Sequence, residues 1–304
     1  MNEFPTSILV ATDGSEDAAL AIKAASDLSA RAGSELHMAH AWRRPTLMGY
    51  FSVGEAENSD IREEAERLLE EQVEQVLASG KTVAGSHLRE GRPAEEIAGL
   101  VGELGVGLVV VGSRGIGSVK RLVLGSVSEG VVDLAPCPVL VFRGEEGAWP
   151  PSRLVVGDDG SEEARRAGEL AAGMGRLFGA WTLLVRVYPS IPVFKARRIV
   201  HVRASREILR EGERALERRA VELESVLGTR PETRVATGDA AAVIQEVAEG
   251  GGEPTLVAVG RRGLETVGYS TLGGVAVDIL RAVTGPVLIV PSPKKNQGNP
   301  ATLH

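Results

Sequence analysis

The chain alternates short apolar runs with longer amphipathic stretches, and this alternation predicts β-strands separated by α-helices. Residues 7–11 and 108–111 are almost wholly apolar and rich in β-branched side chains, as in strands buried on both faces. Residues 15–32 repeat apolar positions at helical spacing and are followed by Gly33, a typical helix end. Alternating strands and helices are typical of a parallel sheet with helices on both faces.

The rest of the chain fits the same alternation. In the first half we predict further strands over residues 35–42, 81–89 and 138–142, and helices over 61–78, 94–104 and from 125 to about 134. Residues 45–59 have no clear pattern and are predicted to form a loop. The second half repeats the order of elements and has a longer charged helix from about 204 to 227.

Four short motifs of the first half recur in the second, displaced by 146 to 148 residues. The matching pairs are Asp13-Gly-Ser with Asp159-Gly-Ser, Gly91 with Gly238, Gly112-x2-Gly115 with Gly260-x2-Gly263, and Pro138-Val-Leu-Val with Pro286-Val-Leu-Ile. We therefore predict two tandem domains, residues 1–145 and 152–292, joined by a proline-containing linker and followed by a flexible tail at 293–304.

Length and composition restrict the classes of protein that this chain could be. With 304 residues and 43% hydrophobic content, it is long enough for two ordinary globular cores. The net charge of −7 argues against a nucleic-acid partner. No signal peptide is visible, and no apolar run approaches the ~20 residues of a membrane span, so we expect a cytoplasmic protein without a membrane partner. A single cysteine, Cys137, excludes an intrachain disulfide, and the histidines lack metal-ligand spacing.

Residues 112–127 carry the clearest chemical signal. The strand that ends at Gly112 is followed by a loop containing Gly115 and Gly117, and the next helix opens at Gly125. Glycines let backbone N–H groups approach an anion, and a helix N-terminus adds unpaired donors and positive potential. Three basic side chains add charge to the loop: Arg114, Lys120 and Arg121. The pattern predicts a site for a phosphate chain, with Gly115 at a positive φ that a branched residue would resist.

The spacing Gly112-x2-Gly115-x9-Gly125-Ser126 resembles the ATP-binding signature of the universal stress protein family, G-x2-G-x9-G-S/T. Three further motifs resemble that family: Ile-Leu-Val-Ala-Thr-Asp13-Gly-Ser, Gly91-x-Pro-Ala-Glu-Glu-Ile, and Ala-Pro-Cys-Pro-Val-Leu-Val-Phe at 135–142. Four ordered motifs are more specific than glycine spacing alone. The resemblance implies an α/β fold with two tandem Rossmann-like domains, each a five-stranded parallel sheet of order 3-2-1-4-5, with ATP bound where the order reverses.

The resemblance also implies which residues hold the nucleotide. In the first half these are Ala11, Thr12, Asp13, Ala41, Gly112, Arg114, Gly115, Gly125, Ser126 and Val127. In the second half a weaker site is implied, formed by Asp159, Val187, Gly260, Arg262, Gly263, Gly273, Gly274 and Val275. Asp13 would accept a hydrogen bond from a ribose hydroxyl or the adenine amine, or hold Mg²⁺ that accompanies ATP; alternatively it caps the following helix, as Ser15 could. Ala41 would pack against the adenine, and Ser126 is either the helix N-cap or a first-turn hydroxyl.

Three functions are compatible with these patterns. The first is an ATP-binding regulatory or stress-response module that acts on a protein partner which the sequence does not identify. The second is a slow ATP hydrolase or nucleotidyl-transfer enzyme on the same fold, although the loop holds no carboxylate or histidine to position a water and no catalytic residue is predicted. The third is a structural stress scaffold that binds no nucleotide.

The last strands of the two halves, residues 138–142 and 286–290, are strongly apolar, and each is a sheet edge if the implied order holds. Because an exposed apolar edge favours aggregation, we predict that these strands pair with each other within the chain. The pairing would make an intrachain pseudo-dimer, since single-domain members of the family build a dimer from this edge. Further homodimerisation of the whole chain stays open.

The first half is predicted to bind ATP more tightly than the second. At the position of Ser126 the second half has Gly274 and lacks a hydroxyl donor. Its loop has the cations Arg261 and Arg262 but also Glu265, and nothing basic replaces Lys120 and Arg121. Losing the two cations at these positions weakens the attraction for a polyanion, although salt screens part of this effect.

Overall fold

A computed structural model describes residues 4–44, 46–47, 51–52, 55–115, 124–144, 146–190, 198–263 and 273–292. Within these ranges the chain forms one ten-stranded sheet with helices on both faces and a separate two-stranded hairpin. The predicted tail at 293–304 and the loop residues Gly117, Lys120, Arg121 and Glu265 lie outside the described residues.

The first half contains seven strands and four helices in its described part. They are β1 (Ser7–Ala11), α1 (Glu16–Ala32), β2 (Glu35–Trp42), β3 (Thr46–Leu47), β4 (Phe51–Ser52), α2 (Glu55–Ala78), β5 (Gly85–Glu90), α3 (Pro93–Leu104), β6 (Leu108–Gly112), α4 (Ser126–Leu134) and β7 (Val139–Phe142).

The second half follows a short 3₁₀ turn, Glu146–Ala148, and repeats the order without the hairpin in its described part. Its elements are β8 (Arg153–Gly157), α5 (Glu162–Phe178), β9 (Trp181–Tyr188), α6 (Arg198–Leu227), β10 (Glu232–Thr237), α7 (Ala240–Glu249), β11 (Thr255–Gly260), α8 (Gly274–Ala282) and β12 (Val287–Val290).

The predicted fold class is confirmed, because both halves have the strand order 3-2-1-4-5. Along the sheet the strands run β10-β9-β8-β11-β12-β7-β6-β1-β2-β5, and the neighbours within each half are parallel. Three element bounds differ from expectation. The charged helix of the second half begins at Arg198 and not near 204. Residues 45–59 include the hairpin β3–β4 and the first turn of α2, and the predicted strand at 81–89 begins only at Gly85. The segment before Gly85 instead contacts α1, since Lys81 Nζ lies 2.6 Å from Asp27 Oδ1.

The predicted pairing of the last strands is also confirmed. β7 and β12 are antiparallel, with Leu140 opposite Leu288, and all residues of both strands are buried. An antiparallel join between two like sheets relates the halves by an approximate two-fold axis. Each apolar edge is therefore covered by the other, which removes the aggregation hazard of an open edge.

The helix ends explain why the amphipathic stretches begin and stop where they do. Ser15 caps α1 by accepting a hydrogen bond from the amide of Ala18 at 3.2 Å, and Gly33 ends the helix in the left-handed region at φ 70°. Ser161 and Gly179 perform the same tasks for α5 in the second half. This repeated pair of caps fixes the direction in which each helix leaves the carboxyl edge of the sheet.

Two apolar layers, one on each face of the sheet, run across both halves. One layer lies under α1, α2, α5 and α6, and the other under α3, α4, α7 and α8. The link between the halves belongs to the first layer: the Trp149 ring packs edge-on against Phe142 and Phe178, with centroids 6.0 and 5.0 Å away. Its indole N–H donates to Asp27 Oδ2 at 3.1 Å. The predicted linker is thus part of the core.

Two arginines bind helix ends across the join. Arg143 of the first half donates to the last carbonyls of α8, at 2.7 Å to that of Arg281. Arg261 of the second half donates to three carbonyls at the end of α4, at 2.9 Å to that of Asp133. Burial lowers the pKa of both guanidinium groups. A cation at a helix C-terminus satisfies carbonyls that have no partner in the helix, so these contacts hold the two halves together.

No helix in the described ranges combines the length and the apolar character needed to cross a bilayer.

Candidate functional site

The strand order of the first half reverses between β1 and β6, and a cavity of about 450 Å³ lies at the carboxyl ends of these strands. Crevices of this kind are the usual ligand sites of open α/β sheets. All of the residues predicted for the first-half site line this cavity: Ala11, Thr12, Asp13, Ala41, Gly112, Arg114, Gly115, Gly125, Ser126 and Val127. Motifs that are a hundred residues apart in sequence are therefore neighbours here.

The other walls of the cavity were not predicted from the sequence. They come mainly from α2, α3 and the end of β2, namely Ile61, Glu64, Ala65, Leu68, Pro93, Ile97, His40 and Trp42. Apolar residues at helical spacing on α2 and α3 cannot be told from core residues by pattern alone. The one available signal was Gly91-x-Pro-Ala-Glu-Glu-Ile, which starts α3 and includes two of these residues.

Glycine is required at the loop positions because the backbone approaches its neighbours closely. A Cβ on Gly112 would lie 2.7 Å from the carbonyl carbon of Asp17. A Cβ on Gly115 would overlap the Asp13 carboxylate, at Oδ2. The expected positive φ at Gly115 is wrong, since its φ lies outside the left-handed region. A larger residue at Gly115 would therefore displace the Asp13 side chain rather than strain the backbone.

Asp13 lies two residues after the end of β1, at the carboxyl edge of the sheet, and its side chain points toward the loop after β6. Its Oδ1 accepts a hydrogen bond from the amide of Ser15 at 3.0 Å, and its Oδ2 lies against Gly115. Ser15, not Asp13, is the N-cap of α1. The Ser15 hydroxyl also donates to the carbonyl of Arg114 at 3.1 Å, which ties the start of α1 to the loop.

Arg114 lines the cavity, but its guanidinium is paired within the protein. Its Nε and Nη2 donate to both carboxylate oxygens of Asp17, at 3.0 and 2.8 Å. Asp17 is only 5% exposed and also accepts a bond from the Ser113 hydroxyl at 2.7 Å. The hydrogen bond to Asp17 raises the pKa of Arg114. The positive charge expected from Arg114 for a phosphate is therefore largely neutralised by a buried carboxylate.

The N-terminus of α4 supplies donors to the cavity instead. Gly125 is the N-cap and makes no side-chain cap bond, so Ser126 is the first helical residue and not the cap. The Gly125 amide donates to the carbonyl of Ser113 at 2.8 Å, and the Ser128 hydroxyl donates to that of Gly112 at 2.7 Å. These two bonds fix the helix start at the end of β6. The amides of the first turn have no partner within the helix and carry its positive dipole end.

His40 lines the cavity beside Thr12. Its Nδ1 lies 2.7 Å from the carbonyl oxygen of Thr12. A carbonyl only accepts hydrogen bonds, so Nδ1 carries the proton, and in the neutral ring Nε2 is an acceptor. The sequence pattern did not single out His40, yet the fold places it in the same cavity as Asp13.

The second half has a much smaller cleft at the equivalent place, of about 110 Å³. All of the residues predicted for the second site line it: Asp159, Val187, Gly260, Arg262, Gly263, Gly273, Gly274 and Val275. Asp159 lies against Gly263 as Asp13 lies against Gly115. Arg261 was counted among the loop cations, but its guanidinium binds the end of α4.

The fold and these clefts define a tandem Rossmann-like protein, with a glycine-lined cleft at the topological switch point of each half. The chain belongs to the universal stress protein family, whose sequence profile matches residues 6–143 and 151–291. It is similar to the universal stress protein YxiE of Bacillus subtilis, with 39% identity over 145 residues, which cover 45% of this chain and 97% of that protein. A universal stress protein of Thermus aquaticus is 37% identical over 138 residues, covering 45% of this chain and 97% of its own.

The tandem arrangement also has solved counterparts. The crystal structure of a universal stress protein from Archaeoglobus fulgidus superposes with a TM-score of 0.69. The alignment covers 94% of this chain and 96% of that one at 23% identity. At 23% identity this likeness supports the fold across both halves and nothing beyond the fold.

Proposed function

We propose that the cavity of the first half binds ATP and that the protein is a nucleotide-dependent regulatory module of the stress response. The observation that carries this proposal is the composition of the cavity wall. One side, formed by α2 and α3, is apolar apart from Glu64, and the other is made of glycines and the N-terminus of α4. An adenosine group and a phosphate chain need these two environments at the two ends of one cavity.

The cavity has the size and the chemistry that the nucleotide requires. About 450 Å³ falls within the ~300–1,000 Å³ typical of small-molecule sites. Ala41 and Ile97 would contact the base, while the Gly115 backbone, the α4 amides and the Ser126 hydroxyl would bind phosphate oxygens. Asp13 would accept from the ribose and, with the phosphates, offer oxygen ligands to Mg²⁺.

A slow ATP hydrolase is the second candidate. The loop itself holds no general base in its described part, but His40 and Glu64 line the cavity. A base must lie within hydrogen-bond reach of the attacking water. Steady-state turnover with Mg²⁺ and ATP separates the two functions: a binding module releases ATP unchanged, whereas a hydrolase produces ADP continuously.

The proposal is tested by replacing Gly115 with valine. A branched side chain would overlap the Asp13 carboxylate and enter the space assigned to the phosphates. We expect Gly115→Val to abolish ATP binding measured by calorimetric titration of nucleotide-stripped protein. Gly263→Val is the matched control, because it creates the same overlap with Asp159 in the second half. Unchanged affinity in a folded Gly115→Val protein would contradict the loop assignment.

A further inference from the structure

We propose that a buried ion pair, Asp158 with Arg186, closes the second cleft to nucleotides, so that each chain binds one ATP. This inference rests on the function proposed for the first half and concerns which site is used. It goes beyond the weaker second site expected from the sequence, which still counts the second half as an ATP site.

The pair stands where the first cavity has Thr12 and His40. Asp158 follows β8 as Thr12 follows β1, and Arg186 occupies the position on β9 that His40 occupies on β2. Arg186 Nε donates to the Asp158 carbonyl at 2.9 Å, the bond that His40 Nδ1 makes to the Thr12 carbonyl at 2.7 Å. In addition, Arg186 Nη2 lies 2.5 Å from Asp158 Oδ1. A threonine and an imidazole are thus replaced by a carboxylate of similar size and a longer guanidinium side chain, which are bound to each other.

The consequence is a divided cleft. The first cavity is continuous from α2, past Thr12, to α4. In the second half the corresponding space is split into the cleft of about 110 Å³ beside α8 and a charged pocket of about 180 Å³ against α6. Among the described residues, only Asp158 lines both. Asp158 therefore lies between the two spaces, and neither space alone approaches the first cavity in size.

Neighbouring side chains reinforce the closure from α6. Arg219 is 8% exposed, and its Nε lies 3.9 Å from Asp158 Oδ2. Tyr188 packs against Gly212, where a Cβ would lie 2.7 Å from the ring. Burial opposes the charge on Arg186, but its hydrogen bonds to Asp158 and Tyr188 raise its pKa above the ordinary value.

The closure is stable because moving either charged side chain out of the pair would leave the other one buried without a partner. Removing one partner of a buried ion pair strands the other in a low-dielectric environment. A nucleotide that displaced Arg186 would leave the Asp158 carboxylate buried without its cation, beside the space that adenosine would need. The second cleft keeps its glycine loop, but it lacks a space for adenosine.

The stoichiometry of ATP binding to the full chain tests this inference. Calorimetric titration and equilibrium dialysis of nucleotide-stripped protein should give one ATP per chain. Gly115→Val should remove that binding, and Gly263→Val should leave it unchanged. Two ATP per chain would overturn the inference while leaving the proposed function intact. Retention of one ATP by folded Gly115→Val together with its loss in folded Gly263→Val would also overturn it, because the site would then lie in the second half. No binding at all would overturn the proposed function itself.

A double substitution tests the pair directly. Asp158→Thr with Arg186→His restores the residues of the first cavity and removes both charges together, so no buried charge is left unpaired. In a protein shown to be folded by circular dichroism, we expect a second, weaker ATP to bind, raising the stoichiometry toward two. A folded double variant that still binds one ATP would overturn the assignment of the exclusion to this pair. If the double variant fails to fold, the titrations of the parent and of the two glycine variants still decide whether the chain binds one ATP or two.

Discussion

For single residues, contacts within the protein decide which groups of the first-half cavity are available to a ligand, more than formal charge does. Arg114 sits in the glycine loop after β6, yet it is bound to Asp17, and a side chain at Gly115 would displace that of Asp13. The residue types and spacing predicted which positions meet. They could not predict these pairings, because Asp17 lies on α1 and reaches the loop only through the folded sheet.

The Asp17–Arg114 pair should matter for stability. We expect Arg114→Ala to lower the free energy of unfolding by about 1.5–3 kcal/mol, because a buried carboxylate loses two charge-assisted hydrogen bonds. Arg165→Ala is the matched control: that arginine is 44% exposed and pairs with Glu162 and Glu169 on its own helix. Exposed helix pairs contribute less than about 1 kcal/mol. Urea denaturation measures the free energy of unfolding of both variants. Equal losses would show that the Asp17–Arg114 pair stabilises the fold no more than an exposed pair does.

At the scale of elements, the apolar periodicity predicted nearly all of the sheet strands and helices, because each is buried on a regular face. The hairpin β3–β4 was missed, since two-residue strands carry no period. The walls that α2 and α3 contribute to the cavity were missed because apolar lining and apolar core have the same pattern. The contact of Arg261 with α4 was missed because it joins residues that are far apart in sequence.

The binding of α4 by Arg261 is itself testable. We expect Arg261→Ala to destabilise the chain by about 1.5–3 kcal/mol, because carbonyls at the end of α4 lose a charged donor. Hydrogen exchange in α4 should rise as a result. Arg234→Ala serves as the control, since that side chain is 48% exposed and 4.0 Å from Glu246. Similar behaviour of the two variants would mean that the contact across the join contributes little.

At the scale of the whole molecule, the duplication has produced one sheet and shared apolar layers. β7 and β12 join the halves, and Trp149 is packed between Phe142 and Phe178. Two family domains are therefore one structural unit with two unequal clefts. The internal repeat predicted the duplication and the join, whereas the inequality of the clefts depends on how Asp158 and Arg186 pack.

We expect the chain to unfold as a single cooperative unit. Differential scanning calorimetry should show one transition, because both apolar layers cross the join. Leu140→Ala, at a fully buried position of β7, should lower the temperature of the whole transition. The expected loss in the free energy of unfolding is about 2–5 kcal/mol. Two separate transitions, of which only one moves, would show that the halves unfold independently.

Photolabelling can show whether the first-half cavity holds an adenine nucleotide. The parent protein would be labelled with 8-azido-ATP, digested with a protease and examined by mass spectrometry. We predict that the label is recovered on peptides of the first half that line the cavity, from β2, α2 or α3, and that excess ATP prevents this labelling. Displaceable label on peptides around Asp159 and Gly263, or no displaceable label at all, would contradict the account.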